Sequence, residues 1–201
     1  MVIISLKEAI ILCKEKEMKR KTAKEILAES FHELAIIKPI DKITVQNIVD
    51  NCGYSPATFY RNFRDKYDMI AWVHSRGVAE VMNKLDKNIH SWVQTLKDAA
   101  NWFYDEKEYL MNLFSNTSGY DSFMRHIIEI HYAALEKYIL SVNKKRELEV
   151  KEKLLLRTYC IGTLGVAGEW VSGRYTVTKE EIVNVWEAAL PKELEKYLVE
   201  S

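Results

Sequence analysis

Helix breakers are scarce in this 201-residue chain, which carries 3 prolines and 7 glycines. β-branched residues rarely cluster, so the composition predicts an all-α protein. With 48% hydrophobic residues the chain can bury a substantial core, which argues against disorder. Cysteine is equally scarce. Cys13, Cys52 and Cys160 are odd in number, far apart and form no C-x-x-C, which argues against a disulfide framework or a zinc site and for a reducing cytoplasm. No apolar run reaches the roughly 18 residues that a membrane span needs. The partly apolar start of the chain is interrupted by Lys7 and Glu8 and lacks a basic n-region and a small-residue cleavage site, so it is not read as a signal peptide. The expectation is a soluble, cytoplasmic protein with no membrane partner.

Net charge is also absent: 29 Lys and Arg balance 29 Asp and Glu. The distribution is less even. Residues 18–66 hold nine basic and six acidic side chains, a net of +3, and residues 1–17 balance, so the remainder carries −3. A slightly basic front on a slightly acidic body suits DNA binding and is by itself a weak signal.

What the chain does have is helical periodicity with clear caps. Thr22 and Glu25 form a capping box ahead of an apolar stripe through Leu27, Phe31 and Leu34, and Pro39 ends that helix. Thr44 caps a short second helix that carries Val45, Ile48, Val49 and Cys52 on one face, and Gly53 closes it. Ser55 caps a third helix with Pro56 at its first position, and Phe59 and Phe63 face the core. Asp65 and Asp68 open a fourth helix, expected to run towards Gly77. Longer amphipathic helices are predicted over 78–88, 91–104, 106–116, 121–142, 147–173 and 179–198. Turns fall near 116–119 and 143–145, and Pro191 kinks or restarts the last helix. Residues 1–17 stand outside this pattern, either as a short leading helix or as a stretch preceding a start at Met18.

Two short helices joined by Gly53, Tyr54 and Ser55 have the geometry of a helix-turn-helix, with the second helix presented to solvent at its amino end. Its outward residues are Pro56, Ala57, Thr58, Tyr60, Arg61 and Asn62. None is a carboxylate, which is what entry between phosphates requires.

Spanning about 50 residues, Lys21 to Trp72, the sequence resembles the TetR family of bacterial regulators. That family's pattern runs from a Thr opening the second helix, through Gly-Val-Ser, to Thr-Leu-Tyr-x-Tyr-Phe and a Lys. This chain has Thr44, then Cys52-Gly53-Tyr54-Ser55-Pro56-Ala57-Thr58-Phe59-Tyr60-Arg61-Asn62-Phe63, then Lys66. Val49 and Cys52 replace the usual Ala, Ala57 a frequent Gly, and Tyr54 a Val, and none changes the chemistry of the exposed face. The resemblance implies that Thr44 and Lys66 hold phosphates at helix amino ends. Tyr60, Asn62 and Ser55 are then backbone contacts, and Pro56 lies on the docked edge. Ala57, Thr58 and Arg61 become readers of base edges, with a bidentate contact of Arg61 to guanine worth about 1–3 kcal/mol. Lys19, Arg20 and Lys21 form either a basic arm or a solvated charge run.

The resemblance assigns the remaining helices to ligand binding and dimerisation. Aromatic and methionine side chains are dense between Trp92 and Tyr138, and Trp102, Met111, Phe114, Phe123, His126 and Ile127 are the candidate lining of an effector pocket, with Glu129 as a further polar contact. The alternative is plain core. His126-x-x-Glu129-x-His131 lacks the spacing of a metal site, so neither metal nor cofactor is expected. Gly162, Gly165 and Gly168 within one helix indicate a close helix approach, either internal or across a homodimer, with Glu169 and Trp186 of the following helix as further interface candidates. The stretch Gly165-Val-Ala-Gly168-Glu-Trp170-Val-Ser-Gly173 resembles, more loosely, the subgroup related to regulators of dihydroxyacetone metabolism, and carries no effector across.

No dinucleotide fingerprint, P-loop, nucleophile elbow or H-E-x-x-H occurs, so no enzyme is expected. The sequence therefore predicts an N-terminal extension (1–17), a helix-turn-helix domain (18–76) and a larger helical ligand-binding and dimerisation domain (77–201). Its partners would be a double-stranded DNA operator, a second copy of itself and a small-molecule effector. The expected role is a DNA-binding regulator, a repressor released by that effector, and the alternative is an interaction protein or coactivator of the same fold acting through a protein partner.

Overall fold

The computed structural model describes residues 21–87, 89–117, 123–144 and 147–199, all of them helix, turn or loop with no strand. Residues 1–17, Cys13, Lys19 and Arg20, and parts of the predicted turns at 116–119 and 143–145, lie outside these residues. The front of the chain folds as α1 (Ala23–Ile37), a single 3-10 turn at Ile40–Lys42, α2 (Val45–Cys52) and α3 (Pro56–Asn62). Its body follows as α4 (Lys66–Asp86), α5 (Trp92–Asp105), α6 (Lys107–Asn116), α7 (Phe123–Asn143), α8 (Val150–Val171), α9 (Lys179–Ala188) and α10 (Lys192–Leu198).

Local chemistry sets these boundaries. Thr22 with Glu25, Thr44 with Asn47, and Thr178 with Glu181 form reciprocal capping boxes, satisfying amides that a helix start leaves unpaired. Gly53 closes α2 in the left-handed conformation, φ 73°, which a side chain would resist. Pro191 divides the predicted 179–198 helix into α9 and α10.

Gly77 does not end a helix. α4 runs unbroken from Lys66 to Asp86, where the sequence suggested two helices meeting there. An interior glycine weakens a helix by about 1 kcal/mol, and burial of Met69, Ile70 and His74 before it and Leu85 after it outweighs that cost. The predicted boundary between residues 76 and 77 thus falls inside one helix.

α1 packs across α2 and α3, and Leu27, Phe31, Ile48, Val49 and Phe59 form the front core. In the body, α7 lies between α4 and α8, and α9 covers α5. Among the described residues, polar ties outside α4 also join front to body. Asn112 on α6 donates to the carbonyls of Ala35 (2.5 Å) and Lys38 (2.8 Å) and accepts from the Ile40 amide (3.0 Å). His32 on α1 meets Glu106 at 2.7 Å.

Candidate nucleic-acid interface and ligand cavity

The turn between α2 and α3 is held from below. Ser30 on α1 donates to the Ile48 carbonyl at 2.7 Å, and Asn51 donates to Ser30 Oγ at 3.1 Å and to Glu33 at 2.9 Å. These bonds and the buried Phe59 fix the face of α3 that turns inward. The opposite edge is open: Ser55, Pro56, Ala57, Tyr60 and Arg61 are exposed, Tyr60 to 61%, and Thr58 and Asn62 are half-buried. No carboxylate stands within α3.

Along this edge the polar groups form a chain. Ser55 Oγ accepts from the Thr58 amide at 3.2 Å and lies 3.1 Å from Thr58 Oγ1, which accepts from Arg61 Nη2 at 3.1 Å. Asn62 donates to the Thr58 carbonyl at 2.8 Å. Thr44, exposed at the start of α2, accepts from the Asn47 amide at 3.2 Å and keeps its hydroxyl proton for an outside acceptor.

Lys66 is placed differently from the free phosphate contact that the resemblance implies. Its ammonium donates to the carbonyls of Ile40 (2.6 Å), Ile43 (2.9 Å) and Asp41 (3.4 Å), and partial burial lowers its pKa. Nothing in the sequence signals that role, because the carbonyls belong to a turn more than twenty residues upstream. Lys21 is paired with Glu29 at 2.7 Å, both on the surface.

The body encloses a cavity of about 380 Å³ between α4, α5 and α7, bordered by Val73, Val81, Trp92, Leu96, Trp102, Phe103 and Leu135 among others. A second pocket of about 60 Å³ shares Trp92, Leu96, Phe103, His131 and Leu135 with it and is lined also by Tyr159 and Trp186. Of the predicted lining, Trp102 borders the cavity; Met111, Phe114, Phe123, His126 and Ile127 do not. Phe123 and Ile127 are buried in the core instead, and Phe114 packs on Phe123 at 5.3 Å. The polar side chains that border it include His74 on α4, His131 on α7, Thr95 on α5 and the charged Glu80, Lys84 and Asp98. The Nε2 atoms of His74 and His131 are 3.0 Å apart, and the His74 ring packs against those of Trp102 and Phe123. Burial, and for His74 the neighbouring His131, pushes the pKa values of His74 and His131 down to about 3 and about 4. Both rings are therefore uncharged at neutral pH.

The glycines of α8 divide. A Cβ on Gly168 would stand 3.0 Å from Met124 of α7, so this glycine serves an internal approach. Gly162 and Gly165 face open space. Trp186 is buried against Phe103 and Trp170, and Glu169 pairs with Arg174 at 2.6 Å, so neither presents a bare apolar surface. Among the described residues no cluster of His, Cys, Asp and Glu is arranged to hold a metal ion, and no helix is long and apolar enough to cross a membrane.

Comparison with known proteins agrees with this geometry. Residues 32–73 match the model of bacterial regulatory proteins of the tetR family, and residues 90–192, just over half the chain, match that of a transcriptional regulator C-terminal region of TetR type. No curated protein sequence matches the chain. Among solved structures it is similar to the dihydroxyacetone kinase operon activator DhaS, at 18% identity and TM-score 0.60, over 84% of this chain and 96% of that one. A TetR transcriptional regulator from a Rhodococcus species has 17% identity and TM-score 0.58, over 86% and 97%. The TetR family repressor AlkX from a Dietzia species, implicated in biodegradation of n-alkanes, has 14% identity and TM-score 0.53, over 89% and 98%. At these identities the structures testify to the fold, and the two family models supply the rest: this chain belongs to the TetR family of bacterial transcriptional regulators.

Proposed function

We propose that this protein is a homodimeric transcriptional repressor that reads an operator through α3 and is released by a small molecule bound in the body cavity. The observation that carries the reading is the open, carboxylate-free edge of α3, braced by a buried core on its other side. On that edge Tyr60, Ser55 and Asn62, with Thr44 at the start of α2, face the phosphate backbone. Ala57, Thr58 and Arg61 face base edges, with Pro56 holding the helix start in place. Lys66 acts through the turn that it braces, since the Ile43 carbonyl which it holds immediately precedes Thr44.

A symmetric dimer is supported by α8. Leu154, Thr158, Ile161, Gly162 and Gly165 follow helical spacing along one stripe; Leu154 is 63% and Ile161 48% exposed, and the glycines offer room for a close neighbour. Two copies of α3 must then fit half-sites roughly 34 Å apart, so a shift of a few ångströms weakens binding. α4 supplies the linkage: its first residue braces the DNA-facing turn, and its middle, at Val73, His74 and Gly77, walls the cavity. The function places the protein in the cytoplasm, where operator DNA lies.

Selection of genomic fragments with the purified full chain tests this reading. A short sequence with two-fold symmetry should be enriched, and deletion of the gene for this protein should raise transcription beside that site. Absence of any enriched sequence with folded, dimeric protein would overturn the DNA-reading role, and a fall in transcription would make the protein an activator.

A further inference from the structure

We infer that the cavity between α4, α5 and α7 takes an uncharged, largely apolar molecule of about a dozen non-hydrogen atoms that carries one hydroxyl or carbonyl oxygen, docked on the His74–His131 pair. The inference rests on the proposed role of this cavity as the effector site, and its test makes no use of DNA.

Size comes first. A cavity of about 380 Å³ holds about a dozen groups at the roughly 30 Å³ that each water occupies in the liquid. Its walls are mostly aliphatic and aromatic, so water there gains little and an apolar ligand gains the area that it removes from solvent.

The polar part follows from proton counting. Two neutral imidazoles joined through their Nε2 atoms share one proton, so one ring is the Nε2–H tautomer and the other the Nδ1–H tautomer. The outer Nδ1 atoms then comprise one lone pair and one N–H. Moving the shared proton and both tautomers together exchanges these roles, so the pair offers a donor at either end without acquiring charge. A hydroxyl or a carbonyl satisfies such a pair. A carboxylate demands a cation, and charging either ring in this apolar box is opposed by burial.

The charge pattern around the cavity agrees. At the rim stand Glu80, Lys84 and Asp98; Lys84 lies 3.5 Å from Asp98, which also meets His90 at 3.0 Å. Glu80 is matched by Arg76 at 4.0 Å and Asp98 by Lys84, so among the described residues the entrance offers no unmatched cation to an anion.

The test is calorimetric titration of the full chain at neutral pH with four probes of matching size: 4-phenylbutan-2-one, 4-phenylbutan-1-ol, pentylbenzene and 4-phenylbutanoate. The ketone and the alcohol should bind about tenfold or more tightly than the other two. In His74→Phe and His131→Phe that preference over pentylbenzene should fall to about twofold; Trp92→Phe, which keeps the pair, should retain it, and loss of the preference there would move the docking point off the histidines. The assignment is overturned if the carboxylate matches the ketone, if none of the four binds, or if every folded His variant keeps the wild-type preference. Ketone binding with no change in DNA affinity supports the assignment and removes the effector role of the cavity instead.

Discussion

Lys66 shows how a single side chain can hold a turn together from behind the face proposed to meet DNA. Its three N–H groups end on three backbone carbonyls of the segment that leads into Thr44. Lys66→Met would leave those carbonyls without their shared donor, and the expected cost is about 1–3 kcal/mol, read from the urea midpoint. The slope of log affinity against log salt separates a brace from a phosphate contact. A brace leaves it unchanged, whereas a phosphate contact lowers its magnitude by about one. Arg61 makes the opposite prediction: Arg61→Ala should leave stability nearly unchanged and relax base preference at one position in each half-site, measured by binding to a randomised operator set. Such roles differ in how readable they are. Arg61 and Tyr60 could be placed on the open edge from spacing alone, because a helix this short has one buried face and Phe59 marks it. The bracing role of Lys66 could not, since it depends on a turn that tertiary contacts bring beneath it.

Among the elements, turn chemistry was legible wherever it was local. Thr22, Thr44, Ser55, Asp65 and Thr178 each cap the helix that follows them, through amides two or three residues away. Gly77 misled for the same reason: its neighbours in sequence do not reveal the burial on both sides that carries α4 through it. The two glycines therefore predict opposite outcomes. Gly53→Ala forces a side chain into φ 73° and should lower stability by about 1 kcal/mol or more. Gly77→Ala meets open space in a helix interior and should raise stability by up to about 1 kcal/mol. Thermal melts of both variants decide the point, and a destabilised Gly77→Ala would mean that α4 needs its looseness there. The cavity was the least legible feature, because His74 and His131 lie on helices far apart in sequence and neither belongs to a motif.

At the scale of the whole molecule, the buried histidine pair ties stability to acidity. Both pKa values fall below the ordinary 6.5, so in mild acid the unfolded chain binds protons that the folded chain refuses. Their contribution is complete above pH 6.5 and is lost as pH falls towards 4. At pH 5 the loss is about 2 kcal/mol for each ring. Carboxylates that are stabilised in the fold, such as Glu25 with a pKa of about 2, enter only below the ordinary 4.5. Urea unfolding at pH 7 and pH 5 should therefore show a smaller difference in His131→Phe than in the parent protein; equal differences would mean that the pair does not carry the acid sensitivity.

The unbroken run of α4 also fixes how far the two halves can be rearranged. Because a helix turns about 100° per residue, inserting a single residue between Gly77 and Asp86 would swing the DNA-facing edge roughly a quarter turn about the rod, and seven would nearly restore its bearing. Exchange of heads between relatives of this protein is thus a matter of phase as much as of sequence. A graft joined out of register would part Asn112 from Ala35 and Lys38, and His32 from Glu106, and would turn the α3 edge away from its present bearing.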